Sequence, residues 1–300
     1  MTTPETLEGV RDASTVVLLR DGASLEVLLM QRHTKSGFMG GAYVFPGGKV
    51  DPDDCFLPDG DKSTYISALE RLDNTPGTAP GLARKMGFLV AACREVFEES
   101  RLVLGADLIP RILQESDSDA SETLSFKELL IEVDMVKAIE SLNYFAHWVT
   151  PSFEKKRFDT RFFVARAPDK QQARGDSREV TDLCWMPISD ALKRQSQNEI
   201  MLPPPTLKIL EDLAFFDKVD DVIECTRRCE VQAFMPKIIS GLGEASLSVI
   251  LPWDKNYEKS DGEGLLFDDK LEPVFGGKSV SRIELFDGLW KTVKEGNDEK

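Results

Sequence analysis

Arg94-Glu95-Val96-Phe97-Glu98-Glu99 gathers three carboxylates and one guanidinium within six consecutive residues. Glu95, Glu98 and Glu99 stand at i, i+3 and i+4, so on a helix all three point to one side. Like charges at that spacing cost a bare helix roughly 0.2–0.5 kcal/mol each, a liability that a bound hard cation turns into a gain. Oxygen donors with no Cys or His among them suit Mg2+ or Mn2+ better than zinc. The competing reading is a solvated acidic face on a surface helix.

A helix is what the surrounding residues predict. No proline falls between Leu82 and Glu99, and Leu89, Ala92, Cys93 and Val96 recur at helical spacing, so one face can pack while the charges occupy the other. Upstream, Ser14–Arg20 and Leu25–Gln31 are β-rich and flank an Asp21-Gly22 turn signal, which predicts an antiparallel pair. A basic loop beginning at Arg32 follows, then a short strand, Ala42–Phe45, ending in Pro46-Gly47-Gly48. The two glycines permit backbone geometry closed to other residues, or simply make a turn. Residues 53–81 read as a surface excursion with a short helix at Thr64–Leu72, placed to act as a lid or merely tolerated. Further on, Leu124–Leu142 reads as a helix, Tyr144–Val149 and Phe158–Ala165 as strands, and Lys155-Lys156-Arg157 between them as a solvated basic loop or a phosphate contact. His147 beside Trp148 is read as a packed or hydrogen-bonded residue ahead of a general base. Pro203-Pro204-Pro205 marks a boundary, after which come two amphipathic helices, further strands and a hairpin about Asp287-Gly288.

Composition bounds the function. Thirty-seven basic against 52 acidic residues give a net charge of −15, which argues against a protein that coats nucleic acid or an anionic membrane surface. A hydrophobic content of 41% supports a sizeable core. Five cysteines without paired metal-type spacing read as reduced, mostly buried thiols. No run approaches 18 apolar residues and Met1–Ser14 lacks an apolar signal core, so a cytoplasmic location is expected.

Phe45–Asp54 followed by Arg94–Ser100 resembles the two halves of the Nudix box, G-x5-E-x7-R-E-U-x-E-E-x-G-U. Gly48 matches the first position, and Arg94, Glu95, Val96, Glu98, Glu99 and Leu102 match the second half. Asp54 replaces the first Glu, Arg101 replaces the late Gly, and 39 residues separate Asp54 from Arg94 where the pattern has seven. The split box, together with LLMQRHTKSGFMGGAYVFPGGKVD and RFDTRFFVA, looks like the branch that includes the peroxisomal mammalian acyl-CoA and CoA diphosphatases. The resemblance implies an α+β fold, an α/β/α sandwich about a mixed sheet, with a hydrolase domain over 1–200, an insertion near 55–81 and a packed extension over 201–300. It implies Mg2+ or Mn2+ on Glu95, Glu98 and Glu99. Arg94 would orient a ligating glutamate, and Glu179 would bind metal or activate water. Arg32, Gly47, Gly48 and Arg161 would stand on the substrate side. The implied substrate is a small nucleotide-linked molecule, CoA or acyl-CoA foremost. NADH, ADP-ribose, nucleotide sugars and capped RNA remain alternatives, as does a catalytically silent binding module. No DNA or membrane partner is implied, and a homodimer is possible.

Overall fold

The structure is a computed structural model that describes residues 9–33, 40–57, 63–72, 81–106, 126, 133–151, 154–175, 180–240, 242–262, 264 and 280–294. The first hairpin forms as the sequence predicts: β1 (Arg11–Asp21) and β2 (Leu25–Arg32) pair antiparallel, Leu19 opposite Val27. A mixed sheet grows around them in the order β3-β2-β1-β6-β5-β8, with β4 on β1 and β7 on β2. Here β3 is Tyr43–Val44, β4 Gly47–Lys49, β5 Asn143–Val149, β6 Phe158–Arg166, β7 Val180–Pro187 and β8 Ala233–Phe234. β1 runs parallel to β6 and β5 parallel to β8, and the other pairings are antiparallel. The last hundred residues thus contribute an edge strand to this sheet.

Alternation along the central strands divides the core in two. Val16 and Leu18 of β1 and Phe163 of β6 face α2 (Leu82–Ser100), while Val17, Leu19 and Phe162 face the other way. On the α2 side lie α1 (Ser63–Arg71) and α3 (Met135–Glu140). Leu69 and Leu72 are buried in that core, so the insertion is not only surface: its helix is anchored against the α2 side of the sheet. Of the helix expected over 124–142, the described part is α3 and helical Phe126.

On the opposite side pack α4 (Ile188–Ser196), α5 (Pro204–Leu213) and α6 (Val219–Arg228). The prolines do not only mark a boundary. Pro204 and Pro205 occupy the first turn of α5, where a missing N–H costs nothing and the fixed φ favours the helix. A second, antiparallel sheet follows, ordered β12-β11-β10-β9, from β9 (Lys237–Ser240), β10 (Leu247–Ile250), β11 (Val280–Phe286) and β12 (Leu289–Lys294). Its hairpin turns on Asp287 and Gly288 at φ 50° and 85°, the left-handed pair such a turn requires. Cys93 is the one buried cysteine; Cys55 is exposed and the other three are half-buried, a correction to the mostly buried thiols expected. Among the described residues no helix is long and apolar enough to cross a membrane.

Candidate active site

α2 buries Phe88, Leu89, Ala92, Val96 and Phe97 and turns Arg94, Glu95, Glu98 and Glu99 toward its margin. The helix stops at Arg101, which takes the left-handed conformation at φ 58° and donates its N–H to the Phe97 carbonyl at 2.8 Å. The late glycine of the box pattern is therefore absent as a residue and present as a geometry.

Arg94 is the hub. Its Nε and Nη2 donate to the two oxygens of Asp54 at 2.9 Å each, and Nη2 donates to the Lys49 carbonyl at 2.8 Å. Nη1 donates to Glu95 Oε1 and to Glu98 Oε2, both at 2.9 Å. All five guanidinium N–H groups are thereby engaged, which leaves none to bind a substrate directly. Asp54 is buried and also accepts from the Asp51 N–H at 2.8 Å. A buried carboxylate bound through both oxygens is an orienting anchor, and it explains why the residue in the first-Glu place stays acidic though shorter.

The glycines act by close approach. β4 lies antiparallel on β1 with Gly47 opposite Thr15 and Gly48 opposite Ser14. A Cβ on Gly47 would stand 2.5 Å from the Ser14 carbonyl, and one on Gly48 would stand 2.3 Å from Glu95 Oε1. Neither glycine has a positive φ, so their use is space and not the left-handed conformation. Gly47 also donates its N–H to Glu99 Oε2 at 2.7 Å, fixing the third carboxylate against the sheet edge. Gly48→Ala should displace Glu95 from Arg94 with little effect on melting, since the obstructed atom is the end of a flexible side chain. A loss of roughly 10–100-fold in kcat measures this, because misplacement by about an ångström costs that much.

Whether these residues suit a cation can be judged from charge. Burial pushes the Glu95 carboxyl up to about 7, despite the lowering effect of Arg94. One guanidinium faces Asp54, Glu95 and Glu98, and Glu99 stands on the next turn, so the cluster lacks positive charge. An oxygen-only donor set of this kind fits a hard divalent ion. As found, Glu95 and Glu98 are turned to Arg94, and no described group of three or more His, Cys, Asp or Glu converges as a metal cage.

The remaining expected site residues fall in different places. Arg32 is exposed and lines a cavity of about 300 Å³ that Gly47 borders. Arg161, expected on the substrate side, is not brought there. It is fully buried, its guanidinium 3.7 Å from the Phe88 ring and its Nη1 3.2 Å from Asp159. The strand register turns it toward α2, away from the cavity that Thr160 and Phe162 line. His147 is buried too and bonds Asp159, a core role as read from the sequence. Glu179 lies outside the described residues. Lys156 is exposed at the cavity, while Arg157 donates to the Thr150 carbonyl at 3.3 Å.

A mixed sheet flanked on both faces, with a glycine strand laid on an arginine-anchored carboxylate helix, defines the Nudix type of fold. A crystal structure of a NUDIX hydrolase from Alicyclobacillus acidocaldarius matches over 72% of this chain and 96% of that one, at 24% identity and a TM-score of 0.51. The family model for the NUDT19 Nudix domain matches residues 58–213, which take in all of α2, and the chain belongs to that family of Nudix hydrolases. Among curated relatives, the acyl-coenzyme A diphosphatase NUDT19 of Xenopus laevis is 27% identical over 66% of this chain and 62% of its own length. The human protein of that name is also 27% identical, over 86% of this chain and 80% of its own length. The match thus spans about three-fifths of the frog relative.

Proposed function

We propose that the protein hydrolyses the pyrophosphate bond of CoA or an acyl-CoA, giving 3′,5′-ADP and (acyl-)phosphopantetheine. The observation that carries this reading is the arrangement around Arg94 and Gly47. The guanidinium is spent on orienting Glu95 and Glu98, and Glu99 accepts from the N–H of Gly47, a residue that borders the cavity on the other side. The names of the frog and human relatives support the choice of substrate. A Mg2+ or Mn2+ ion held by Glu95, Glu98 and Glu99 would supply charge that neutralises the pyrophosphate oxygens and acidifies water.

The chain's own groups position the reaction. Water forms a new bond to one phosphorus, the bridging oxygen departs from it with the electron pair, and one proton is released. Arg94 and Asp54 keep the carboxylates on one side of α2 throughout, since their mutual bonds use both oxygens and two nitrogens. Arg32 and Lys156, exposed beside the cavity, attract the anionic substrate. Residues 1–200 are proposed as the hydrolase domain, with 201–300 packed on it as part of one folded unit.

The test is hydrolysis of CoA, acetyl-CoA, NADH, ADP-ribose, UDP-glucose and a dinucleoside polyphosphate with Mg2+ or Mn2+, products identified by mass. Cleavage of CoA species at a diphosphate, abolished by EDTA and restored by added cation, is expected. Turnover confined to another member of the panel would discard the CoA assignment.

A further inference from the structure

We infer that the C-terminal extension builds the specificity wall of the substrate cavity and that this wall receives the aliphatic, non-nucleotide half of the pyrophosphate. The inference rests on the CoA reading above and deepens it. The cavity of about 300 Å³ lies on the sheet face opposite α2. Its near end is Gly47, whose N–H holds Glu99, so whatever fills it is attached close to the scissile bond. Its floor is Trp148 and Phe162 of the first sheet, both buried. Its far wall comes from beyond residue 200: Pro203–Pro205 at the start of α5, then Pro236, Ile238 and Val249.

That wall carries one side-chain hydroxyl, Thr206, among prolines and aliphatic residues. Prolines have no N–H. The backbone at Val249 and Ile238 faces each other in the β9–β10 ladder, and Trp148 is paired on both edges, with Thr160 and with Phe234. A purine or ribose would leave several polar atoms unmet there, whereas methyl and methylene groups lose nothing. The exposed lining residues are the cations Arg32 and Lys156; half-buried Glu154, Thr15, Thr150 and Thr160 also line the cavity, so hydrocarbon predominates inside beside a few polar groups. The dimethyl-bearing carbon chain that joins the pyrophosphate of CoA has this distribution of properties, and the hydroxyl and amides beyond it have threonines of the lining to pair with; a sugar or nucleoside is polar throughout.

Each buried methylene is worth about fourfold in affinity, so three such groups give roughly 60-fold. The expected result is a kcat/KM for CoA at least about 50-fold above that for ADP-ribose. Ile238→Asn, which sets an amide on the wall at a half-buried strand position, should lower the ratio of the two values at least tenfold. The milder Ile238→Thr should lower it by about three- to tenfold. Taking both substrates on one preparation cancels any difference in folded fraction. Inhibition gives an independent reading: 4′-phosphopantetheine should weaken as an inhibitor in Ile238→Asn while 3′,5′-ADP changes less than twofold. CoA cleavage with a ratio that is flat, or unmoved by either variant, overturns the wall and leaves the CoA reading standing. Failure to cleave CoA or any acyl-CoA overturns both.

Discussion

Glu99→Gln should lower kcat/KM on CoA by roughly 10²–10³ while the protein melts within about 2 °C of wild type. Glutamine keeps the size of the side chain and an oxygen that can still accept the Gly47 N–H, so the 2.7 Å bond that ties α2 to β4 survives. What disappears is one unit of negative charge from a set whose proposed task is to hold a divalent cation beside the scissile bond. A cation stabilises the developing charge by several kcal/mol, and the loss of about 3–4 kcal/mol corresponds to the stated fold-change. Raising the Mg2+ or Mn2+ concentration should recover part of the rate if affinity for the ion is what falls. A variant that turns over at near wild-type rate at ordinary cation concentration would remove Glu99 from the metal set. Glu98→Gln makes a useful comparison, because Glu98 is tied to Arg94 and not to the sheet edge, and its side chain is 44% exposed.

What could be read from residues alone follows the range of the interactions involved. Helix α2 was legible because its apolar spacing and its charges lie within one stretch of chain, and the hairpins because β-rich runs flank turn residues. Asp54 was legible as a departure from a pattern but not as the anchor of Arg94. The two are 40 positions apart in sequence, and only the fold brings them into bidentate contact. Arg161 misled for a related reason. A charged residue beside a basic loop reads as a phosphate contact, yet strand register turns it inward, where Asp159 and the Phe88 ring receive it. The parallel pairing of β1 with β6 joins strands well over a hundred residues apart and has no local signal. The same holds for the cavity wall, since nothing in a proline run at 203–205 announces that strands near 238 and 249 will close against it. At the glycines it is their neighbours, not their φ angles, that exclude a side chain, and only the fold shows which neighbours those are.

Asp159→Ala should be the most destabilising substitution on the α2 side of the sheet, costing about 3–5 kcal/mol, because it leaves a buried guanidinium without its counter-charge. Asp159 accepts from His147 Nε2, from Arg161 Nη1 at 3.2 Å and from Arg84 Nη2 at 3.2 Å, and Arg84 in turn grips Asp12 through two bonds of 2.7 and 2.6 Å. At this chain length such a loss lowers Tm by about 6–15 °C. Arg161 already carries two buried nitrogens, Nε and Nη2, without a partner, so a hydrophobe in its place forfeits little. The double variant Asp159→Ala/Arg161→Met should therefore regain about 2 kcal/mol over Asp159→Ala, and strict additivity of the single effects would refute the coupling. The same cluster sets an acid limit. His147 is neutral: burial lowers its pKa, its Nδ1 has no acceptor, and two arginines already serve one carboxylate. Burial alone would raise the Asp159 carboxyl, but the hydrogen bond from His147 and the charges of Arg161 and Arg84 hold it below the usual carboxylate range. In both cases the unfolded chain binds a proton that the folded chain refuses, so stability rises with pH. The His147 contribution is complete above about pH 6.5 and falls below it, and that of Asp159 is complete above about pH 4 and is lost progressively as the pH falls further. Glu95 and Asp212, whose carboxyls burial pushes up to about 7 and about 6, act with the opposite sign over part of this range. The informative quantity is thus the difference between wild type and His147→Gln, whose amide can still donate to Asp159 but does not titrate. Between pH 6.5 and 4.5 the wild type should lose stability faster than the variant, by at most about 1.4 kcal/mol per pH unit, the limit for one proton. Parallel curves in denaturant titrations over that interval would mean that His147 is charged in the folded protein.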